Sequence, residues 1–414
     1  YIVTGLGAAE GREFMTNLHT IADRVKGVMV SNCLPMGAYE FMTNAAYKDS
    51  FRTEGWFYTP VLRKAHANGN ISFIYNHLHL ASFKRLCYRK PDIYVGIASM
   101  PDKHGYVSLS TSNTYEMAMI KEAKTVILEI NPNAPRTFGD VQLHVDDVDY
   151  LVEVNYPIPE IADVEPNEKD LAIGKLIAEM INDGDCIQLG IGGIPNAVAD
   201  SLMDKKDLGI HTEMFTDSMV ELIECGAVNN SRKQINRGRS VTTFAYGSQR
   251  IYDFMDDNPS IEILPVDYTN DPNVICKNDN MISINSCISV DLFGQVTAES
   301  SNLRHISGTG GQLDFLTGAC MSKGGKSFIC LNSTFTDKQG QLHSNIVPHF
   351  HGDIVTDPRS QTYFVVTEYG AVNLVGRTTW ERADLLVSIA HPDFRDQLIA
   401  QADKQKIWRQ SNKR

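Results

Sequence analysis

The stretch Gln188-Leu-Gly190-Ile-Gly192-Gly193-Ile-Pro195-Asn196 carries residue types that can hold a negative charge without a metal. Glycines let the backbone turn with positive φ and let a ligand approach exposed N–H groups. Pro195 suits a first helical turn, where its missing N–H would be unpaired anyway. A strand-to-helix turn of this kind gathers free amides and the positive end of a helix, a seat for a phosphate or a developing oxyanion. It equally suits a tight turn with no ligand, and alone the motif leaves both open. Downstream, Ile210-His211-Thr212-Glu213-Met214-Phe215-Thr216-Asp217 sets an acid where a buried strand ends and a helix is about to begin. Asp217 has a structural use as N-cap of that helix. Glu213 has none, and the carboxyl ends of strands hold the ligand crevice in open α/β sheets. Its strand follows the one that feeds the Gly190 turn, so the two ends are expected side by side.

Other patterns compete for the same chemistry. Gly190-x-Gly192 with Glu213 about 20 residues on half fits a dinucleotide fingerprint, the acid binding a ribose, but position 195 is Pro where a third glycine belongs. Gly308-Thr-Gly310-Gly311-Gln312-Leu-Asp314-Phe315 is a second turn leading into a helix-like run, able to bring further amides to one cleft. Lys323-Gly-Gly-Lys326-Ser327 fails as a P-loop, because the first glycine would fall at 320, which is Cys. No G-x-S-x-G elbow, H-E-x-x-H helix or paired-Cys zinc pattern occurs. His77-x-His79 and His349-x-His351 each place two imidazoles on one side of a strand with no regularly spaced third ligand. Both read as structural or substrate-facing, not as metal sites.

Alternating strands and helices must position these residues. In the first half, Gly27–Ser31, Ile71–Tyr75, Ile93–Ala98 and Thr125–Ile130 read as buried strands. Helix-like stretches lie near Glu10–Val25, Phe57–His66, Leu80–Arg89 and Tyr115–Ala123. An alternating block, Val141–Asn155, runs into Tyr-Pro-Ile-Pro and an acidic segment with no apolar pattern, which marks a linker. The division therefore falls between residues 1–160 and 161–414. In the second half, Ile173, Leu176, Ile177, Met180 and Ile181 share one helix face, and Cys186–Leu189 is a short strand. A helix follows from about Pro195, a strand at Leu208–Thr212 and a helix from about Asp217. Later strands are expected at Val241–Ala245, Ile261–Pro265, Met281–Asn285 and Phe328–Leu331. A β-rich tract is expected over Ile346–Val366, then a helix over Arg382–Gln401. This order predicts an α/β fold with largely parallel sheets.

The 414 residues are 43% hydrophobic, enough to bury a core in each of two domains. With 38 Lys+Arg against 50 Asp+Glu, net −12, the chain lacks the basic stripe that nucleic acid requires. No apolar run is long enough to span a membrane. Eight scattered cysteines without a C-x-x-C pair read as reduced thiols of a cytoplasmic protein. The start at Tyr1 shows no signal-peptide pattern and reads as trimmed.

Taken in order, the Gln188–Asn196, His211–Asp217 and Gly308–Phe315 motifs resemble the acetyl-CoA hydrolase/transferase family, a branch of the class I CoA-transferases. Val266-Asp-Tyr-Thr-Asn270-Asp271-Pro272 and the run Asn278–Ser300 are similar too, and the likeness covers essentially the whole chain. It is greatest to 4-hydroxybutyrate and butyryl-CoA:acetate CoA-transferases. The resemblance implies two related open α/β domains of NagB-like fold with the active site in the cleft between them, usually in a homodimer. It implies Glu213 as the catalytic nucleophile, the Gly190, Gly192 and Gly193 turn as oxyanion motif with Gln188 beside it, and Asn270 in the active site. Gly310, Gly311 and Lys323 would meet CoA. The first domain would supply the acid-binding wall, through Met36-Gly37 and Asp102-Lys103-His104-Gly105. Ser289 departs from the family pattern, where Glu or Gln is expected, without touching the nucleophile. The implied reaction moves CoA between acyl-CoA and a short carboxylate, 4-hydroxybutyrate with acetyl-CoA, through a glutamyl-CoA thioester in fermentative acetyl-CoA metabolism. It needs no metal and no cofactor beyond the CoA substrate. Rival readings are an acyl-CoA hydrolase on the same fold, a butyryl-CoA:acetate transferase, a non-catalytic CoA or acid sensor, and an NAD-dependent oxidoreductase.

Overall fold

The structure is a computed structural model that describes residues 1–162 and 164–407. Seven strands form the first sheet: β1 (Ile2–Thr4), β2 (Val28–Asn32), β3 (Phe51–Gly55), β4 (Ile71–Phe73), β5 (Ile93–Ala98), β6 (Thr125–Ile130) and β7 (Tyr150–Glu153). Their order is β7-β6-β5-β1-β2-β3-β4, and every pairing is parallel. The second sheet has six: β8 (Cys186–Leu189), β9 (Gly209–Ile210), β10 (Met281–Ser286), β11 (Lys326–Cys330), β12 (Phe364–Thr367) and β13 (Gly370–Asn373). Its order is β9-β8-β10-β11-β12-β13, parallel except for the final hairpin. Continuously buried, mostly apolar runs such as Cys186-Ile-Gln-Leu and Met281-Ile-Ser-Ile are strands covered on both faces, as parallel sheets require.

Four helices frame the site: α1 (Glu168–Ala178), α2 (Gly193–Asp200), α3 (Asp217–Glu224) and α4 (Gln312–Met321). Helix α1 opens with a capping box, Asn167 accepting from the Asp170 amide while Asp170 accepts from the Asn167 amide. Phe138–Gly139, from the first half of the chain, pairs with Ile261–Ile263 in a small sheet that also holds Ser240–Thr242. One apolar core runs from Val3 and Leu128 through to Ile187, Ile284 and Phe328, so the two halves share their interior.

Several expectations are corrected. Strands β1 and β3 were not foreseen, although β1 lies at the centre of its sheet. The tract Ile346–Val366 holds only Ile346–Val347 and the start of β12, with turns between. The final helical stretch is two helices, Thr379–Ser388 and Pro392–Lys404, because Pro392 cannot donate into a continuing helix. Asp217 is the first helical residue and Thr216 occupies the cap position, with the Asp217 carboxylate turned to the Ser248 amide at 3.0 Å.

Candidate active site

Strands β8 and β9 are adjacent and parallel, which brings the Gly190 turn and Glu213 to one end of the sheet. The main chain fixes Glu213 firmly. Its carbonyl accepts from the amides of Thr243 at 3.0 Å and Phe244 at 3.2 Å, and from Thr242 Oγ1 at 2.9 Å. The carboxyl end is held by Asn270 Nδ2, which donates to Oε2 at 2.7 Å, with the Gly311 backbone close beside it. A Cβ on Gly311 would stand 1.9 Å from Oε2, so only glycine lets α4 begin here. Gly310, at φ +56, is in the left-handed region that favours glycine.

Burial pushes the Glu213 carboxyl up to about 7. The Asp314 charge adds to that rise, while the Asn270 hydrogen bond and the Gly311 backbone pull the other way. Asn270 is fully buried, and its Oδ1 has no partner among the described residues, which leaves the amide committed to donating.

A cavity of about 290 Å³ opens over this carboxylate. Leu6, Leu34, Phe57 and Leu78 form its wall from the first half of the chain, and Ile191, Met214, Phe244 and the Gly308–Gln312 turn form the opposite side. It is a mostly apolar slot with one carboxylate at its floor, the pattern of a site that binds a small substrate away from water.

The predicted residues separate into two groups. Glu213, Asn270, Gly310, Gly311, Gly190 and Gln188 come together around this floor. Gly190 is not a free oxyanion donor, because its amide is bonded to the Ile284 carbonyl at 2.9 Å. Gln188 is likewise engaged: Ser283 Oγ and Asn285 Nδ2 donate to its Oε1, and its Nε2 donates to Asn285 Oδ1. Gly192, at φ +112, borders a neighbouring cavity with Met214 and Tyr246. Gly193 serves packing, since a Cβ there would meet Asp170 Oδ2 at 2.4 Å. Lys323 stands beyond the far end of α4, about 15 Å of helix from Gly311, exposed and 3.9 Å from Asp279.

The segments expected to bind the acid lie outside the Glu213 cavity. The Met36 amide donates to Glu10 at 3.0 Å and Gly37 packs on Tyr39, while Asp102 accepts from the His104 and Tyr106 amides and pairs with Arg136. None of these lines the Glu213 cavity. The first-half side of the cavity, Leu6, Leu34, Phe57 and Leu78, comes from segments after β1, β2, β3 and β4, at the carboxyl ends of parallel strands. Reading β1 and β3 would have pointed to it.

His79 and Asp314 were missed as partners. Asp314, 2% exposed, accepts from the His79 amide at 3.1 Å and from Nδ1 at 2.8 Å, a bond from the first half of the chain to the first turn of α4. His77 lies 3.8 Å from the same carboxylate. The His349 and His351 rings lie 4.3 Å apart, and Ser289 Oγ donates to the Asn345 carbonyl. Among the described residues, no three His, Cys, Asp or Glu side chains cluster as metal ligands.

Comparison with known proteins adds to this geometry. The acetyl-CoA hydrolase/transferase N-terminal domain matches residues 23–162, and the C-terminal domain of the same name matches residues 247–402. The chain is 48% identical to a butyryl-CoA:acetate CoA-transferase of Anaerostipes caccae over 79% of its length and 76% of the relative's. It is 43% identical to a 4-hydroxybutyrate coenzyme A transferase of Clostridium kluyveri, over 92% of this chain and 89% of that one. The crystal structure of RipA from Yersinia pestis superposes with a TM-score of 0.92 at 35% identity, covering 98% of this chain and 94% of that structure.

Proposed function

The chain belongs to the acetyl-CoA hydrolase/transferase family, and we propose that it moves CoA between an acyl-CoA and a short-chain carboxylate, with Glu213 as nucleophile. The observation that carries this reading is a glutamate pinned at its carbonyl and at its carboxyl, on the floor of an apolar cleft. Glu213 attacks the thioester carbonyl, forming an acyl-glutamyl anhydride and releasing CoA thiolate. The thiolate attacks the Glu213 carbonyl carbon, expelling the first acid and leaving a glutamyl-CoA thioester. The acceptor carboxylate then runs both steps in reverse, which gives ping-pong kinetics. In the second step the oxyanion develops on a Glu213 oxygen. Asn270 Nδ2 already donates to that carboxyl, with the Gly311 backbone beside it, so Asn270 serves as its oxyanion donor.

The apolar walls favour transfer over hydrolysis, because water would destroy both covalent intermediates. For the acids we propose acetate as one partner and 4-hydroxybutyrate as the other, with butyrate as the alternative. Residues 1–160 would supply the carboxylate side and residues 161–414 the CoA side. We further propose a cytoplasmic homodimer. All eight cysteines are free thiols, which suits a reducing compartment, and cell fractionation tests the location. Among the described residues, no helix is long and apolar enough to cross a membrane.

Incubation with acetyl-CoA followed by borohydride should reduce the enzyme thioester to an alcohol at position 213. Glu213→Gln should show neither label nor exchange, with unchanged circular dichroism. Label at another residue overturns the nucleophile, and CoA release independent of added acid makes the enzyme a hydrolase.

A further inference from the structure

His211 stands two residues before Glu213, in the segment that follows β9, and has no part in the steps described above. Its side chain is fully buried and lines no part of the Glu213 cavity. The segment is tied to its neighbours: the His211 amide donates to the Ile187 carbonyl at 3.1 Å and the Thr212 amide to the Val241 carbonyl at 2.9 Å. From there the ring reaches the end of the short helix Val266–Thr269, with Nε2 2.8 Å from the Thr269 carbonyl. A carbonyl only accepts, so Nε2 carries the proton. Burial, with the Lys233 charge added, pushes the His211 pKa down to about 3, so the ring is neutral and Nδ1 is a bare acceptor. Among the described residues that buried Nδ1 has no hydrogen-bond partner. Leucine would fill a similar space without an orphaned nitrogen, so what the imidazole adds is the single bond to Thr269.

That bond sits beside the oxyanion donor. Thr269 and Asn270 are both fully buried, and the peptide unit between them is planar. A hydrogen bond at the Thr269 carbonyl therefore also sets the direction from which the Asn270 side chain departs. Two side chains of one segment grip two successive residues: His211 holds the Thr269 carbonyl, and Glu213 Oε2 accepts from Asn270 Nδ2 at 2.7 Å. The two grips part company during the reaction. Once Glu213 is acylated its carboxylate charge is gone, whereas the His211 bond takes no part in the chemistry. Asn270 Oδ1 has no partner among the described residues and gives the side chain no second anchor. The aim of Nδ2 then depends on the main chain, held within the helix by the Asn270 amide on the Val266 carbonyl at 2.9 Å and across the site by His211.

We propose that His211 is a positioning residue of the transfer reaction: its Nε2–H holds the Thr269–Asn270 peptide in the orientation from which the Asn270 amide meets the oxyanion forming on Glu213. The inference rests on the CoA-transferase reading. It gives the buried imidazole a task that needs neither its titration nor any contact with substrate. A donor fixed before the charge develops needs no reorganisation when it does.

The test is a double-substitution cycle on the full chain, read as kcat for CoA transfer from acetyl-CoA to butyrate. His211→Leu should lower kcat about 10–10²-fold, the scale of a misplaced group at a reacting centre, with unchanged circular dichroism. His211→Gln, whose side-chain amide can reach the same carbonyl, should recover most of that loss. In an Asn270→Ala background His211→Leu should cost less than about twofold more, because the group it positions is already gone. Equal losses in the two backgrounds, or full activity of His211→Leu, overturn the assignment. Should the leucine variant fail to fold, His211→Asn, one methylene shorter than glutamine, takes its place in the cycle, with the same outcomes for and against. Absence of any exchange by the wild-type enzyme refutes the transferase reading itself, an outcome distinct from these.

Discussion

Glu213 joins a fixed position to a raised pKa, and the two have different origins. Position comes from the main chain, where three donors converge on one carbonyl. Acidity comes from the surroundings of the carboxyl, where burial outweighs the hydrogen bonding that favours its charged form. A nucleophilic carboxylate must be ionised, so kcat/KM should climb with pH and level off above about 7, the value to which burial pushes this group. Removing a donor to the charged form raises the pKa further. Asn270→Ala should therefore move that limb to higher pH and lower the plateau about 10²–10³-fold, the usual worth of one oxyanion donor. A pH–rate profile of both enzymes checks this, and a limb that stays in place would detach Asn270 from the ionisation.

At the scale of elements, the start of α4 sets the electrostatics. Asp314 in its first turn raises the Glu213 pKa, and His79 lies against Asp314. Burial tends to lower the His79 pKa, but the Asp314 hydrogen bond and charge outweigh it, and the net shift is upward. A raised histidine pKa stabilises the fold fully below the unfolded value, near 6.5, and that contribution fades as pH rises through the folded pKa. His79→Leu removes the nearer imidazole from Asp314 but keeps the main-chain amide and His77 beside it. It should cost about 1–3 kcal/mol in urea unfolding at pH 6 and shift the Glu213 limb upward. An unmoved limb would mean that the Asp314 charge does not reach the carboxylate. The legibility of these elements differed for physical reasons. The Cys186–Leu189 strand and its glycines were readable because a short, largely apolar run ending in Gly-x-Gly-Gly has few other uses. Ile2–Thr4 is too short to show a period, and Phe51-Arg-Thr-Glu-Gly hides its inward face behind Thr and Gly. With those strands unread, Leu34, Phe57 and the His79–Asp314 bond stayed invisible, since they depend on which loops the sheet order brings together. Lys323, which the family resemblance set near CoA, stands a whole helix away from the Gly311 turn.

For the whole molecule, the two sheets share one core and meet over the cleft, while one edge of the first sheet remains open. Strand β7 is the edge strand beside β6, and all four of its side chains are exposed. Tyr150 is 61% exposed, and Leu151 and Val152 are 39% each. Successive strand residues face opposite sides, so both faces of this edge carry apolar surface next to unpaired main-chain groups. An uncovered edge of that composition invites aggregation unless something pairs with it, and a second copy of the chain can do so by closed two-fold symmetry. Light scattering should give twice the chain mass. Tyr150→Lys combined with Val152→Lys puts two like charges on one face and doubles to four across a two-fold contact, so the particle should fall to the mass of one chain with its circular dichroism unchanged. A double variant that keeps the doubled mass would place the dimer contact elsewhere, and a wild-type protein of single-chain mass would remove the homodimer altogether.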